Sequence, residues 1–326
     1  LCGWQFARAL LVATDKRNDD PSFYDAKAAT AHCFATQILP LATALEAAIV
    51  GAHDDKEFIS QLKSPRRIML LVQAGKAVDD WIERLLPLLE AGDIIIDGGN
   101  SHFPDSNRRT KYLAGKNIRF VGSGVSGGEE GARYGPSIMP GGNEEAWPHI
   151  KDIFQAISAK SDGEACCEWV GDEGAGHYVK MVHNGIEYGD MELISESYNL
   201  LSHLYNNDLN KVADTFKEWN KGELSSYLID ITANILTRKD DQGSDDFIVN
   251  KIMDKAGNKG TGKWSSQSAL ELGVPQSLIT SAVYSRYISA YKDERVKASK
   301  VLNGPKDIPD VDVNEFVEKI RKALYF

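Results

Sequence analysis

Short apolar runs alternate with segments of helical periodicity between residues 66 and 171. The apolar runs predict strands at RIMLLV (67–72), DIIIDGGN (93–100), IRFVGSG (118–124) and CEWVG (167–171). The segments between them predict helices at KAVDDWIERLLPLLE (76–90), SNRRTKYLAG (106–115) and EEAWPHIKDIFQAISAK (144–160). Continuously apolar strands that alternate with helices are typical of a parallel sheet covered on both faces.

The pattern changes at GDEGAG (171–176), after which the sequence predicts helices alone. Residues 265–301 form one helical block. The longest helical patterns are HYVKMVHNGIEYGDMELISESYNLLSHLYN (177–206) and LNKVADTFKEWNKGELSSYLIDITANILTR (209–238). We therefore expect an α/β domain over residues 1–173 and an all-helical domain over residues 174–326.

Composition places the chain among ordinary globular proteins, with 42% hydrophobic and 26% charged residues in 326. The net charge of −10 and the lack of a Lys/Arg-dense run argue against nucleic-acid binding. No apolar run reaches the roughly 18 residues of a membrane span. The four cysteines form no CxxC pair and no disulfide framework, which favours a reduced, cytoplasmic chain without a metal site.

Two glycine-rich segments resemble nucleotide-binding loops. GSGVSG (122–127) fits the G-x-G-x-x-G pattern after a predicted strand, but the following GEEGARYGPSIMPGG is too rich in Gly and Pro for the helix that a dinucleotide loop requires. We interpret it as an anion loop that faces the substrate. GNKGTGKW (257–264) has Trp264 where a P-loop needs Ser or Thr, and no strand precedes it.

The segment KMVHNGIEYGD (180–190) carries the strongest candidate chemistry. At about 100° per residue, one helix face presents a cation, an anion and two hydrogen-bonding groups within about 60° of Lys180. These residues are Lys180, His183, Asn184 and Glu187, with Tyr188 at the margin. The back face carries Gly185 and Gly189, each of which costs about 1 kcal/mol inside a helix. We expect that back face to pack closely against another backbone.

Four segments together resemble the 6-phosphogluconate dehydrogenase family: IIDGGNS, GSGVSGGEEGARYGPSIMPGG, GAGHYVKMVHNGIEYGDMELI and KGTGKW. The similarity extends from about Gly51 to Tyr325. It implies a Rossmann-like coenzyme domain followed by an all-helical domain that forms a homodimer. The implied reaction is oxidative decarboxylation of 6-phosphogluconate to ribulose 5-phosphate and CO2, with reduction of NADP+, in the pentose phosphate pathway.

The resemblance also implies a role for each matching residue. Lys180 matches the general base that takes the proton of the 3-hydroxyl, and Glu187 matches the acid that protonates carbon 1. Residues that match the sugar-acid site are Asn100, Ser126, Gly127, Gly128, His183 and Asn184. Residues that match the phosphate site are Tyr188, Lys259 and Arg286. Residues that match the nicotinamide side of the cofactor site are Val72, Gln73, Ala74 and Asn100.

The chain departs from the family pattern at both ends. Residues 1–50 are Ala-rich and contain neither the glycine-rich turn for the pyrophosphate nor the Asn-Arg-Thr segment for the 2′-phosphate. Family members also continue well beyond IRKALYF (320–326). We therefore expect this chain by itself to bind NADP+ weakly and to turn over little substrate.

Two alternatives to that activity remain open. One is a non-catalytic relic that keeps part of a sugar-phosphate site. The other is a β-hydroxyacid dehydrogenase relative that acts on a small acid without phosphate. Lys259 and Arg286 count against the second alternative, because a substrate without phosphate needs neither cation.

Overall fold

The computed structural model describes residues 54–241, 243–258, 260–304 and 311–326. The described residues form two compact units. The first comprises residues up to Ser123 together with Gly127–Gly174, and the second comprises Gly124–Ser126 together with Ala175–Phe326. No helix among the described residues is long and apolar enough to cross a membrane.

The first unit is a four-stranded sheet with helices between its strands. Its strands are β1 (Arg67–Leu70), β2 (Ile94–Asp97), β3 (Arg119–Ser126) and β4 (Ser137–Gly142), in that order across the sheet. Its helices are α1 (Asp55–Ser60), α2 (Lys76–Leu85), α3 (Phe103–Ala114), α4 (Gly128–Tyr134) and α5 (Trp147–Ile157). A hairpin of β5 (Lys160–Ser161) and β6 (Glu164–Ala165) follows.

The predicted parallel sheet is confirmed for β1, β2 and β3. Ile94 of β2 is in register with Arg67 of β1 and with Arg119 of β3, and both pairings are parallel. All four residues of β2 are buried, as expected for a central strand covered on both faces.

The last predicted strand, CEWVG, is not a strand. Cys167 and Asp172 make only isolated parallel bridges, to Ile138 and Gly142 of β4. β4 itself was not predicted, because Pro140 and two glycines weaken its apolar pattern.

A short helix does follow GSGVSG, although its sequence was interpreted as too rich in Gly and Pro for the helix of a dinucleotide loop. Helix α4 begins at Gly128 and runs for seven residues. Gly127 and Gly135 stand at its caps with φ of 151° and 114°, and Pro136 lies beyond its end. Only Gly131 is an interior glycine of this helix, so the Gly and Pro content belongs mainly to its ends.

From Ala175 onward the described elements of the second unit are all helices, as predicted, with one isolated antiparallel bridge between Lys239 and Phe247. Its helices are α6 (Ala175–Leu204), α7 (Leu209–Trp219), α8 (Tyr227–Thr237), α9 (Thr261–Leu272), α10 (Ser277–Ala290), α11 (Lys292–Ala298) and α12 (Val313–Tyr325). The helix predicted over 209–238 is divided into α7 and α8. Ser226 caps α8 by accepting a hydrogen bond from the backbone of Ile229, and Gly222 lies in the turn before it.

The two glycines on the back of α6 make close contacts, as expected, but with side chains. A Cβ added to Gly185 would lie 2.6 Å from Ser265 Oγ of α9, and one added to Gly189 would lie 3.2 Å from Leu278 of α10. The expected partner was another backbone. The observed neighbours show that small residues on α6 admit side chains of α9 and α10.

Candidate functional site

Lys180 is the buried centre of the polar face of α6, with only 6% of its surface exposed. Its Nζ donates a hydrogen bond to Asn184 Oδ1, one turn further along the helix. The Asn184 amide in turn donates to Thr261 Oγ1 of α9, at 3.1 Å. A buried amino group must find acceptors for its N–H groups, and this chain of bonds fixes both side chains against the neighbouring helix.

Gly124 in the middle of GSGVSG admits the Lys180 side chain. A Cβ at position 124 would lie 2.3 Å from Lys180 Cβ and 2.8 Å from the carbonyl oxygen of Gly176. Both distances are far shorter than ordinary contacts of about 3.5–4.0 Å. The middle glycine of GSGVSG therefore has a steric role, because a larger residue at position 124 would clash with Lys180 and Gly176 of α6.

Further along the same helix face, His183 and Glu187 line a cavity of about 470 Å3. Leu228 and Leu324 contribute to its apolar wall, and Asp190 adds a second carboxyl. Partial burial raises the pKa of Asp190, and the nearby Glu187 carboxylate raises that pKa further while His183 opposes the rise. The cavity thus offers two carboxyl groups and one imidazole to a polar ligand.

Tyr188 and Arg286 form a stacked pair in the helical unit. The guanidinium carbon of Arg286 lies 3.7 Å from the centroid of the Tyr188 ring, within the range of a cation–π interaction. Arg286 also donates to the carbonyl oxygen of Gly257, at 2.6 Å. The other predicted phosphate residue, Lys259, lies outside the described residues.

The residues predicted for the nicotinamide side lie at the carboxyl ends of two adjacent strands in the first unit. Val72, Gln73 and Ala74 follow β1, and Asn100 follows β2. A Cβ at Gly99 would lie 3.1 Å from the carbonyl oxygen of Val72, so the two loops are neighbours. Ligands of parallel sheets bind at this edge.

The remaining predicted residues lie where β3 passes into α4. Ser126 ends β3, Gly127 caps α4 and Gly128 begins it. Gly127 and Gly128 are exposed and have positive φ. The predicted cleft shared by Asn100 and Lys180 joins residues of different units and stays a prediction.

Thr261 is a candidate that the sequence analysis missed. Its side chain is buried and accepts the bond from Asn184. The sequence feature that could have indicated Thr261 is its place in KGTGKW, two residues after the candidate Lys259. A threonine within a helical block has no distinguishing periodicity, so only the packing of α9 on α6 reveals this contact.

Two family models together cover every candidate site residue. The NAD binding domain of 6-phosphogluconate dehydrogenase matches residues 24–171, and the 6-phosphogluconate dehydrogenase C-terminal domain matches residues 176–326. The chain belongs to the 6-phosphogluconate dehydrogenase family. The first match begins before Gly51, so the family similarity extends further toward the N-terminus than the sequence analysis placed it.

Individual 6-phosphogluconate dehydrogenases are similar over most of this chain. The decarboxylating enzyme of Candida albicans is 61% identical over 85% of the chain and 54% of its own length, and that of Homo sapiens is 62% identical over 85% of the chain and 57% of its own. The chain therefore spans about half the length of these curated relatives.

The solved structure of Plasmodium falciparum 6-phosphogluconate dehydrogenase shares the same architecture. It superposes with a TM-score of 0.79 at 46% identity, over 83% of this chain and 58% of that one. That structure is described as apo, with NADP+ and with 6-phosphogluconate. A 3-hydroxyisobutyrate dehydrogenase of Mycobacterium tuberculosis, with a TM-score of 0.54 at 15% identity over 82% of this chain and 83% of that one, shares the fold alone.

Proposed function

We propose that the protein oxidatively decarboxylates 6-phosphogluconate to ribulose 5-phosphate and CO2 and reduces NADP+. The observation that carries the proposal is the buried hydrogen-bonded chain from Lys180 through Asn184 to Thr261, in a member of this family. A lysine held in one position, with most of its surface removed from water, is suited to exchange a proton with a bound hydroxyl.

Lys180 takes the proton of the 3-hydroxyl as carbon 3 is oxidised. When bound, NADP+ would supply the acceptor for the hydride of that carbon. The resulting 3-keto acid loses CO2, because the carbonyl accepts the electrons of the breaking carbon–carbon bond. Lys180 returns its proton to that oxygen to give the enediol, and takes the proton up again when carbon 1 is protonated. Glu187, about 10 Å further along the helix axis at 1.5 Å per residue, protonates carbon 1 of the enediol. His183 and Asn184, with Ser126, Gly127 and Gly128, hold the sugar acid.

The loops after β1 and β2 fit the nicotinamide side of the cofactor. Both loops lie at the carboxyl ends of their strands, the edge at which ligands of parallel sheets bind. Gln73, Ala74 and Asn100 are exposed there, so they are available to a ligand. We assign Val72, Gln73, Ala74 and Asn100 to that role.

Arg286 and Tyr188, with Lys259, hold the phosphate in this proposal. Stacking on Tyr188 and the bond to Gly257 fix the Arg286 guanidinium, which is well suited to a phosphate because its donors are planar. A substrate without phosphate would leave this cation without a function. The phosphorylated substrate is therefore favoured over a small hydroxy acid.

The active form in this proposal is a cytoplasmic homodimer with domains at 1–173 and 174–326. The helical unit exposes large apolar side chains such as Leu270, Leu272 and Tyr284. In this proposal the partner subunit covers these side chains.

The test is turnover by the full-length protein. NADP+ and 6-phosphogluconate should yield NADPH, ribulose 5-phosphate and CO2 in equal amounts, whereas 3-hydroxyisobutyrate should yield no NADPH. Binding of 6-phosphogluconate without turnover would favour the non-catalytic alternative. Turnover of the small acid alone would favour the β-hydroxyacid alternative.

A further inference from the structure

Arg109 is a buried cation in the first unit that the reaction described above does not use. It lies on α3, and only 1% of its surface is exposed. A buried guanidinium is stable only when its donors are paired. The contacts of Arg109 therefore identify the segments of this unit that its guanidinium holds together.

The guanidinium joins two loops at the carboxyl ends of β1 and β2. Its Nε and one terminal nitrogen donate to the Asp79 carboxylate, at 2.8 and 3.2 Å. That terminal nitrogen also donates to the carbonyl oxygen of Gly75, at 2.9 Å. The other terminal nitrogen contacts Asp97 and Ser101, each at 3.4 Å.

On the β1 side, the hydrogen bond from Arg109 to the Gly75 carbonyl oxygen reaches the end of the loop that contains Val72, Gln73 and Ala74. Gly75 has a φ of 93°, and a Cβ at this position would find no atom within 4 Å. The Gly75 carbonyl oxygen accepts two hydrogen bonds, from Arg109 at 2.9 Å and from the backbone N–H of Val78 at 3.1 Å. Arg109 is the side chain that ties this end of the loop to α3.

On the β2 side, the contact is with a turn organised around one carboxylate. Asp97 is fully buried. One of its oxygens accepts from the backbone of Gly99, at 3.1 Å, and the other accepts from the Ser101 hydroxyl, at 2.6 Å. Both neighbours of Asn100 are thus bound to Asp97, whose charge Arg109 compensates.

We propose that Arg109 is a positioning residue for the cofactor: its guanidinium locks the loop after β1 and the turn after β2 in the arrangement that presents Val72–Ala74 and Asn100 to the nicotinamide side of NADP+. This role rests on the proposed function. It requires arginine, because a lysine has one compact ammonium and cannot bridge both loops and Asp79 with a planar fork.

Arg108 provides a matched control on the same helix. It also pairs with Asp79, at 3.0 Å, but its side chain is 54% exposed. Its observed hydrogen bonds are to Asp79 and Asp105. Arg108→Lys is therefore the same substitution one residue away. It perturbs a bond to the same Asp79 carboxylate but leaves the contacts of Arg109 with the two loops intact.

The experiment compares Arg109→Lys and Arg108→Lys in the full-length protein. NADP+ affinity is measured by calorimetry, and amide hydrogen exchange is followed without ligand. We expect Arg109→Lys to weaken NADP+ binding about tenfold or more, equivalent to about 1.4 kcal/mol. Exchange should accelerate at 72–76 and 97–102 and stay unchanged at 147–157. The KM for 6-phosphogluconate should rise about threefold or less, since Asn100 is its one assigned contact on these loops. Arg108→Lys should stay within about twofold in each measurement.

Unchanged NADP+ affinity and unchanged exchange in Arg109→Lys would overturn the proposal, even if the variant were less stable. Should that variant fail to fold, Ser101→Ala removes one contact of the same network. It should accelerate exchange at 97–102, and unchanged exchange there would overturn the proposal. A wild-type protein that does not bind NADP+ would refute the proposed function instead, and loop exchange would then decide whether Arg109 orders the two loops.

Discussion

Gly124→Ala is expected to impair turnover by displacing Lys180. The added Cβ would lie 2.3 Å from Lys180 Cβ and 2.8 Å from both Lys180 Cγ and the carbonyl oxygen of Gly176. An ordinary carbon–carbon contact is about 3.5 Å or more, so Gly124 and Lys180 would have to separate by about 1.2 Å. One of the crowded atoms belongs to the backbone, which limits relief by side-chain rotation.

A displacement of about 1 Å at a catalytic group costs about a hundredfold in rate. We therefore expect kcat/KM for 6-phosphogluconate to fall about a hundredfold, with a loss of about 1–3 kcal/mol in unfolding free energy from overpacking. Steady-state kinetics and urea denaturation of the full-length protein measure the two effects.

Gly304→Ala is the matched control, because a Cβ at position 304 would find no atom within 4 Å and no positive φ opposes it. It should leave both quantities close to wild type. If Gly124→Ala retained kcat/KM within about threefold of wild type, the inference that Gly124 sets the position of Lys180 would be refuted.

Two further substitutions test other parts of the structure. Arg286→Lys should raise the KM for 6-phosphogluconate about tenfold with little change in kcat, because the planar fork over Tyr188 is lost; an unchanged KM would contradict the phosphate assignment. Burial alone would raise the pKa of Asp93, but hydrogen bonds from the Glu90 backbone and from Arg66 outweigh it and lower that pKa. Asp93→Asn should therefore reduce unfolding free energy by about 2–4 kcal/mol at neutral pH. The stability due to the carboxylate is complete above its unfolded pKa of about 3.9 and is lost as pH falls through the lower folded pKa. Urea titrations should consequently show a deficit that shrinks in acid, and a deficit independent of pH would contradict this reasoning.

The elements that could be predicted from the sequence are those whose pattern follows from burial. The three residues before Asp97 in β2 are all isoleucine, because both faces of this strand are covered. The shared face of Lys180 and Asn184 follows from the 3.6-residue helical period, and their hydrogen bond confirms that the two side chains meet. Local periodicity was sufficient in both cases.

The missed features depend on contacts between residues far apart in the chain. Arg108 and Arg109 are adjacent and chemically identical, yet one is 54% exposed and the other is buried, because α3 turns only one of them toward the sheet edge. Thr261 meets Asn184 across 77 positions of sequence. The hydrophobic periodicity of the neighbouring residues predicts neither the burial of Arg109 nor the contact of Thr261.

The central claim is that Lys180 is the proton acceptor in hydride transfer. The most direct measurement is NADPH formation by the full-length Lys180→Met variant, together with calorimetric titration of 6-phosphogluconate. Lys263→Met is the control, because Lys263 is exposed. We predict that Lys180→Met forms no measurable NADPH and binds 6-phosphogluconate with an affinity within a few-fold of wild type, since the phosphate contacts that we propose for Arg286 do not involve Lys180. Near-normal NADPH formation by Lys180→Met would contradict the claim.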